Sequence, residues 1–458
     1  MENKRKSLDM TQGDPAKLLV LFALPMLIGS IFQLMYNMVD TVVVGRYVSL
    51  DALAAIGATG TTMSFLMMVG QGMGNAVSIV ISQAEGGKNE QLLKKAVAHA
   101  VYITLGSSLL VGFLAFFGAS PLMKLLGTPE NIIENSVRYI QIVGGLTIAQ
   151  QCYNGATSIL RAIGDSKTPL YFLIFSSLLN VALDLLFVLK LDGGVAGVAY
   201  ATVLSQAVSA VLCISYMLKR FPRLLPSGAL WRFDKNLFKQ FLGIGVPMTL
   251  QSMALSVGMF VITAVINSHG SGVVASYTIG GKVEQLAIIS FSNMAFSFSV
   301  FSGQNFGAKL YARIKEGLIK GLTIICSLAV LSGIVMLIFA RPIAMIFMDA
   351  ETLDPQVLTD AVSMVRTEAI LYWALGTIWT VNSALRGMGI IKVTIVSSVV
   401  ELLSKIGFSL SLPLFFGTLG IWMAGPFGWV LGLIPSAWYL ARWFKKHPAA
   451  EEEIPSEA

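Results

Sequence analysis

Residues 171–189 read YFLIFSSLLNVALDLLFVL, an apolar run that contains a single carboxylate, Asp184. A second run, residues 21–45 (LFALPMLIGSIFQLMYNMVDTVVVG), contains Asp40. About 20 apolar residues in a helix cross a hydrocarbon core of about 30 Å, so both runs have the length of a membrane span. A charged side chain at that depth costs about 2.5–3.5 kcal/mol, and such residues usually mark an ion or substrate path. The two runs therefore predict an ion-driven transport site built around Asp40 and Asp184.

The composition also indicates a membrane protein. Of the 458 residues, 55% are hydrophobic and only 12% are charged, with a mean hydropathy of +0.74. Soluble domains carry about 25% charged residues. The apolar runs lie near residues 16–45, 52–83, 95–120, 132–160, 168–190, 194–218, 237–268, 273–304, 317–347, 358–385, 393–416 and 418–443. We expect an all-α polytopic membrane protein with twelve transmembrane helices in two six-helix bundles related by a pseudo-twofold axis.

The distribution of Lys and Arg predicts the orientation. If the N-terminus is inside, 24 of the 32 basic residues fall in cytoplasmic segments. This bias favours an even number of spans with both termini in the cytoplasm, in a plasma (inner) membrane. It also accounts for the net charge of +7 without a nucleic-acid partner, because the basic residues are scattered over loops and interleave with no aromatic platform.

No catalytic constellation stands out in the sequence. The phosphate-binding pattern GxxxxGK[ST] is absent, which argues against direct use of ATP. The three cysteines and three histidines show no disulfide or metal-ligand spacing. The N-terminus is polar and lacks the form of a signal peptide, so the first apolar helix is expected to stay and span. We expect neither an enzyme nor a cofactor.

The two halves of the chain resemble each other. SQAEGGK (82–88) corresponds to GQNFGAK (303–309), and SILRAIGDSK (158–167) to SALRGMGIIK (383–392), with spacings of 221 to 225 residues. Both halves begin inside, so the repeat is parallel, and such repeats place the substrate site at the interface between halves. The expected division is an N-terminal bundle (1–218), a cytoplasmic linker (219–236), a C-terminal bundle (237–446) and a polar tail (447–458).

Asp40 belongs to a polar stripe in the first run. Gln33, Asn37 and Asp40 recur at i, i+4 and i+7, which is one helix face, and Tyr36 lies next to it. Pro25 in the same run lacks a backbone N–H and should kink the helix. Two interpretations of this kink are open. It is either a bend that responds to protonation or a fixed kink whose free backbone groups bond to neighbouring helices.

Asn180 and Asp184 are one turn apart in the fifth run and share a face. The functional interpretation is a carboxylate pair with Asp40 that binds H⁺ or Na⁺, and the structural one is a hydrogen-bond network that locks helices together. Further polar stripes suggest a hydrated substrate cavity in this half, although small and amide residues also serve helix packing. Its candidate lining residues are Gln33, Tyr36, Asn37, Gln71, Asn75, Gln150, Asn154 and Gln206.

Charged residues also stand in apolar runs of the C-terminal half, among them Lys282, Glu284, Glu401 and Lys405. Glu401 and Lys405 stand at i and i+4, an order that favours an ion pair. Matching SSLLN of the first half to SSVVE of the second puts them in the places of Asn180 and Asp184. A structural salt bridge and a secondary contact to substrate or protons are the two interpretations of this pair.

Five motifs together carry a family resemblance. With YNMVDTVVVGR (36–46), ALAAIGA (52–58), LRAIGDSKTP (160–169), NVALD (180–184) and GQNFGAK (303–309), the chain resembles the multidrug and toxic compound extrusion (MATE) transporters essentially end to end. The resemblance implies two six-helix bundles that form a V-shaped cavity. It also implies export of amphipathic, often cationic, organic compounds against entry of H⁺ or Na⁺.

One branch of that family uses an Asp in the first helix, an Asn and an Asp one turn apart in the fifth, and a Thr in the sixth. Asp40, Asn180, Asp184 and Thr202 match these places. The resemblance therefore implies that these four residues couple transport to H⁺, or to Na⁺ bound through their oxygen atoms.

Another branch uses acidic residues in the seventh and tenth helices. Here Gln251 is the only amide in the middle of the seventh run, which has no acid. The tenth run has Glu368, expected near its outer end, and Leu375 near the place of the other branch's Asp. These departures favour the mechanism of the N-terminal half, as in the DNA-damage-inducible exporters.

The alternative function is a lipid-linked precursor flippase or exporter of the same superfamily. Such flippases usually carry more helices and a more cationic cavity. A channel or membrane scaffold would not need a repeat with paired acids in one half. The expected partners are small organic substrates and the lipid bilayer, and the expected state is a monomer.

Overall fold

In the computed structural model, the structure describes residues 7–348 and 354–447. These residues form fifteen α-helices and no strand, and the polar tail predicted beyond His447 lies outside them. The helices are α1 (Pro15–Tyr47), α2 (Leu50–Gly86), α3 (Glu90–Leu125), α4 (Glu130–Val143), α5 (Ile148–Ala162), α6 (Lys167–Leu189), α7 (Gly194–Arg220), α8 (Lys235–Ser268), α9 (Ser271–Gly307), α10 (Tyr311–Met345), α11 (Pro355–Ala369), α12 (Tyr372–Gly387), α13 (Ile391–Ser411), α14 (Pro413–Phe416) and α15 (Thr418–Lys446). Two short 3-10 helices, Pro222–Leu224 and Gly228–Trp231, lie between α7 and α8.

Ten continuous helical segments within the described ranges are long and apolar enough to cross a membrane. The fourth and tenth predicted runs are each divided into two shorter helices, α4 with α5 and α11 with α12. Counting each divided pair as one crossing gives the twelve predicted. The prediction of an all-helical, polytopic membrane protein is confirmed.

The two breaks have different origins in the sequence. Between α4 and α5, a Cβ on Gly145 would lie 2.1 Å from the carbonyl oxygen of Gln141, so this turn requires glycine. Between α11 and α12 stand Ile370 and Leu371, and the Leu371 N–H donates to the Glu368 carbonyl at 3.0 Å. This i to i−3 bond tightens the turn without any glycine. The first break can therefore be predicted from the sequence, and the second cannot.

The described residues group into two compact units. The first comprises residues 7–9 and 24–250, and the second comprises 10–23 together with the described residues from 251 onward. The grouping differs from the expected division at 218 and 237, because the start of α1 belongs to the second unit and the start of α8 to the first. Pro25 and Pro247 lie inside these two helices, close to the points where the chain changes unit.

The backbone repeats the pattern seen in the sequence. Lys88 and Lys309, at matching places after α2 and α9, both adopt positive φ angles, of 51° and 60°. Gly164 and Gly389, after α5 and α12, do the same at 92° and 80°. Side chains other than glycine rarely adopt this conformation, so its recurrence at both lysines shows that the helix ends are built alike in the two halves.

Candidate functional site

Helix α6 buries polar side chains and exposes apolar ones. Ser176, Asn180 and Asp184 follow one another at four-residue spacing and are all buried, Asp184 completely. Leu178 and Leu186 point elsewhere and are exposed. This inverted pattern fits a membrane helix, whose apolar face meets lipid while its polar groups must be satisfied within the protein. The face that carries Asn180 and Asp184 therefore points into the first unit, where α6 packs against α7.

The two predicted carboxylates meet in the structure. The carboxyl groups of Asp40 on α1 and Asp184 on α6 lie close enough to interact with each other. Two ionised carboxylates repel each other, so a proton or a cation shared between them would be favourable. Within the described ranges, Oδ1 of Asp40 and both carboxyl oxygens of Asp184 have no hydrogen-bond partner, and no basic side chain pairs with either group. The pair therefore has no countercharge from the described part of the protein.

Asn180 lies one turn before Asp184 and is only 1% exposed. Neither its amide oxygen nor its amide nitrogen has a hydrogen-bond partner among the described residues. Leaving a buried polar group unsatisfied costs about 1–3 kcal/mol, so a purely structural amide would normally be paired. Its carbonyl oxygen is thus available to a cation or a water beside the carboxylate pair.

The hydroxyl of Thr202 on α7 is already engaged in a hydrogen bond. It donates to the carbonyl of Val198 at 3.1 Å, one turn earlier on its own helix. The Tyr36 side chain on α1 lies next to Thr202 and interacts with both Asp40 and Asp184. Residues of α1 and α7 therefore meet beside the carboxylate pair.

Sequence reasoning missed Tyr139 on α4. This side chain lies close to both Asp40 and Asp184 and packs among partly or fully buried residues that include Val198 and Ala199. Tyr139 precedes the predicted Gln150 by eleven residues, which would be three turns on one face of an unbroken helix. The break between α4 and α5 interrupts that face, so the periodicity alone does not place the ring.

The remaining residues predicted to line a cavity have diverse surroundings. Among the described side chains in this set, Tyr36 is the one that interacts electrostatically with the carboxylate pair. The side chains of Gln33, Gln71 and Asn154 are exposed, those of Asn75, Gln150 and Gln206 are half-buried, and that of Asn37 lies outside the description. Sequence reasoning selected Gln150, whereas its neighbour Gln151 is the buried amide of α5 and occupies the space above Gly70 of α2.

The second unit holds its own charged cluster. Lys405 and Glu401 on α13 form an ion pair of 2.6 Å, which is the pair that the sequence suggested. Lys282 is exposed and lies over the Phe347 ring at 5.8 Å, while Glu284 contacts Glu368. Lys282 and Glu284 thus face different surroundings.

Two other features of the second unit bear on the expectations for the C-terminal half. Glu368, expected near the outer end of its run, is buried in the last turn of α11, beside the break that separates α11 from α12. The amide of Gln251 is satisfied, donating to the Thr394 carbonyl at 3.1 Å and to the Ser398 hydroxyl, and accepting from Arg386 at 3.4 Å. A structural role accounts for Gln251.

In the first unit the arrangement suits a small cation. Two carboxyls and a nearby amide supply only oxygen acceptors, which serve a proton or a hard cation such as Na⁺. Within the described ranges no three His, Cys, Asp or Glu side chains cluster as transition-metal ligands would. Asp40, Asn180 and Asp184 are therefore suited to reversible binding of H⁺ or Na⁺ rather than to a resident metal.

Comparisons with known proteins identify relatives of the chain. The MatE family model matches residues 25–186 and 247–411. The chain is 34% identical over 309 residues to the probable multidrug resistance protein YpnP of Bacillus subtilis (strain 168), covering 66% of this chain and 67% of that protein. It is 27% identical to the probable multidrug resistance protein YoeA of the same organism, over 93% of this chain and 94% of that one.

The fold matches solved structures along nearly its whole length. One of them is described as an outward-facing conformation of a multidrug resistance MATE family transporter of the MOP superfamily. It superposes with a TM-score of 0.88 at 22% identity, covering 97% of this chain and all of that one. At that identity the match speaks for the fold, while the family model spans both halves of the sequence. The chain belongs to the MATE family of membrane transporters.

Proposed function

We propose that this protein is a secondary active multidrug efflux antiporter. It exports amphipathic, often cationic, organic compounds in exchange for H⁺ or Na⁺, and Asp40 with Asp184 forms the coupling site. The observation that carries the proposal is the contact between these two carboxyl groups, which lack a protein countercharge within the described residues. Two relatives of the chain are named as probable multidrug resistance proteins.

The pair couples ion and drug through its charge. With one proton shared, the site carries one negative charge, which attracts a cationic drug or a second cation. A second proton, or Na⁺ held with the Asn180 carbonyl, neutralises that charge and removes the attraction. Because each ligand changes the affinity for the other, binding of one favours release of the other by the same factor.

This charge count fixes the expected electrical behaviour. If one proton replaces one monovalent drug, no net charge crosses the membrane in a cycle. The membrane potential, about 2.3 kcal/mol per charge at 100 mV, then contributes nothing to export of that drug. Only the ion gradient drives it, at about 1.4 kcal/mol per tenfold difference. A neutral drug would use both contributions and should be exported against a steeper gradient.

The Lys and Arg distribution supports a plasma (inner) membrane location with both termini in the cytoplasm. We propose a monomer, because the coupling residues Asp40, Asn180 and Asp184 all belong to one unit of one chain.

Transport by protein reconstituted in vesicles tests the function. A pH gradient and a Na⁺ gradient are imposed separately, and uptake or release of a fluorescent cationic drug is followed. The expected result is drug movement driven by one gradient and abolished by Asp184→Asn. The matched control is Asp192→Asn, which makes the same chemical change at an exposed turn. Transport that responds to neither gradient, or that survives Asp184→Asn at full rate, would overturn the proposal.

A further inference from the structure

The first unit contains an apolar cavity of about 330 Å³ against the linker that follows α7. Helices α3, α5 and α7 form most of its wall, and the remainder is formed by Leu224, Leu225, Pro226 and Trp231 of the linker. We call this space the linker cavity. Neither Asp40 nor Asp184 lines it, so it is separate from the carboxylate pair. Its volume lies at the lower end of the range for pockets that bind small molecules or parts of larger ones.

Hydrogen bonds hold the linker wall of this cavity in place. The guanidinium group of Arg223 donates to both carboxylate oxygens of Glu85, in the last turn of α2, over 2.7 and 2.6 Å. The Tyr102 hydroxyl on α3 donates to the Trp231 carbonyl. The Trp231 indole N–H in turn donates to the Pro226 carbonyl at 3.0 Å. The linker therefore closes a preformed cavity, because α2 and α3 fix its position.

The wall of the linker cavity suits a hydrocarbon chain. Among its described residues only Thr104 and Trp231 carry an oxygen or nitrogen atom in the side chain, and the indole N–H of Trp231 is already used. A polar solute would find too few partners there for its own hydrogen bonds and would lose free energy on entering. Apolar cavities of this kind stay dry and take up apolar molecules. The fitting occupant is therefore an apolar group.

Exposed leucines mark the opening of the cavity. Leu105 on α3, Leu218 on α7 and Leu225 on the linker all line it, and each is 38% exposed. Large apolar side chains exposed on membrane helices face lipid. Hydrocarbon chains of the bilayer are therefore the apolar groups nearest to the opening.

The opening lies beside a concentration of positive charge. Residues 219–239 contain six basic residues and one acidic residue. The charge of Arg223 is already paired with Glu85. Arg220, which follows Leu218 by two residues, has a buried Nε without a hydrogen-bond partner among the described residues. A guanidinium group binds phosphate through two N–H groups, so Arg220 is suited to a phosphate at the opening.

We propose that the linker cavity binds one acyl chain of an anionic phospholipid, with the lipid phosphate at Arg220. Chain burial by itself selects no particular lipid, because the surrounding bilayer is as apolar as the cavity wall. Selection comes from the headgroup, since each Arg or Lys near the membrane surface favours an anionic lipid by about fivefold. A cationic amphipathic compound would be repelled by the same basic residues. The proposal does not depend on the proposed export function, because the cavity shares no residue with the carboxylate pair.

Native mass spectrometry of the delipidated, full-length protein in detergent tests this assignment. The probes are dioleoylphosphatidylglycerol and dioleoylphosphatidylcholine, which have the same chains and differ in the net charge of the headgroup. The expected result is one tightly bound phosphatidylglycerol per protein, with an affinity at least about fivefold above that of phosphatidylcholine. Inorganic phosphate at matched ionic strength should not displace the lipid, because phosphate alone leaves the cavity unfilled.

Two matched pairs of variants locate the binding. Val101→Phe fills part of the cavity and should weaken phosphatidylglycerol binding about tenfold or more. Val211→Phe makes the same change at a position of α7 that is 63% exposed, and it should have no effect. Arg220→Gln should lower the phosphatidylglycerol affinity about fivefold without changing the phosphatidylcholine affinity. Its control is Arg46→Gln, at an exposed arginine near the end of α1, which should change neither affinity.

A second variant guards against a failure to fold. If Val101→Phe does not fold, Ala156→Leu, which also adds volume to the wall, replaces it with the same expected loss. Absence of a bound phosphatidylglycerol in the wild type, or equal affinity for the two lipids, would overturn the proposal. Equal losses in Val101→Phe and Val211→Phe, or displacement of the lipid by inorganic phosphate, would do so as well.

Discussion

Replacing either partner of the α13 ion pair should destabilise the protein, but by different amounts. Glu401→Gln and Lys405→Met each remove one partner of the 2.6 Å pair while keeping the size of the side chain. The side chain of Lys405 is 20% exposed and that of Glu401 is 11% exposed, so solvent screens the pair only weakly. If the pair stood alone, the two substitutions should cost about the same, since each would strand a buried charge at about 3–5 kcal/mol.

The neighbouring carboxyl groups break this symmetry. After Glu401→Gln, the ammonium of Lys405 still lies in the field of Glu284 and Glu368 and still faces the Trp429 ring. We therefore expect a cost of about 1 kcal/mol, near the value of one ordinary hydrogen bond. After Lys405→Met, the carboxyl groups of Glu284, Glu368 and Glu401 line one cavity without the Lys405 ammonium, and we expect the full cost of about 3–5 kcal/mol. The double variant should recover much of the Lys405→Met loss.

Equilibrium unfolding in mixed micelles measures these differences. Equal costs for the two single substitutions would refute the reasoning. A stable double variant that no longer transports would show that the pair belongs to the mechanism.

Three further predictions concern the rest of the molecule. Asp40→Asn and Asp184→Asn should each abolish gradient-driven export in vesicles at normal expression, and Asn180→Ala should slow it less; wild-type rates in both Asp variants would disprove the coupling site. Binding of a cationic drug by purified protein should weaken as pH falls, because protonating the carboxylate pair removes the charge that attracts the drug. A neutral analogue shows the same dependence only if a bend of α1 carries the coupling, and no dependence on pH or Na⁺ with either compound would exclude this pair as the ion site. Gly432→Ala should destabilise the protein by about 1–3 kcal/mol, because its Cβ would lie 2.7 Å from Cβ of Glu401. The control Gly407→Ala meets nothing within 4 Å, and equal unfolding midpoints for the two variants would contradict this packing.

The sequence could predict Asp40 and Asp184 because the bilayer makes them exceptional. A carboxylate in an apolar run is costly, so its presence is informative without any knowledge of the fold. Asn180 followed from its spacing to Asp184 on one helix face. For the same reason the twelve apolar runs predicted the fold, since only helices satisfy their own backbone inside lipid and about 20 residues are needed to cross it.

Residues that act through long-range packing were not predictable in this way. Tyr139 reaches the carboxylate pair from α4, and one tyrosine in an apolar run is common in a helix core. The buried position of Glu368 depends on the break after α11, and no glycine in the sequence marks that break. Gln151 rather than the predicted Gln150 is the buried amide, because it fills the space over Gly70, a residue of another helix. Each of these placements is set by a neighbour distant in sequence.

The internal repeat duplicates the backbone but not the chemistry. Glu401 and Lys405 occupy the places of Asn180 and Asp184, so the second half carries a cation where the first carries a carboxylate. Asp184 pairs with a carboxyl from α1, whereas Lys405 pairs within its own helix, and the acid pair of the second unit comes instead from α9 and α11. Symmetry alone would therefore have placed a second acid pair between α8 and α13, whereas the structure has an ion pair within α13. The acid pair of the first unit has no countercharge among the described residues and the second unit supplies much of its own, which is why we place ion exchange at Asp40 and Asp184.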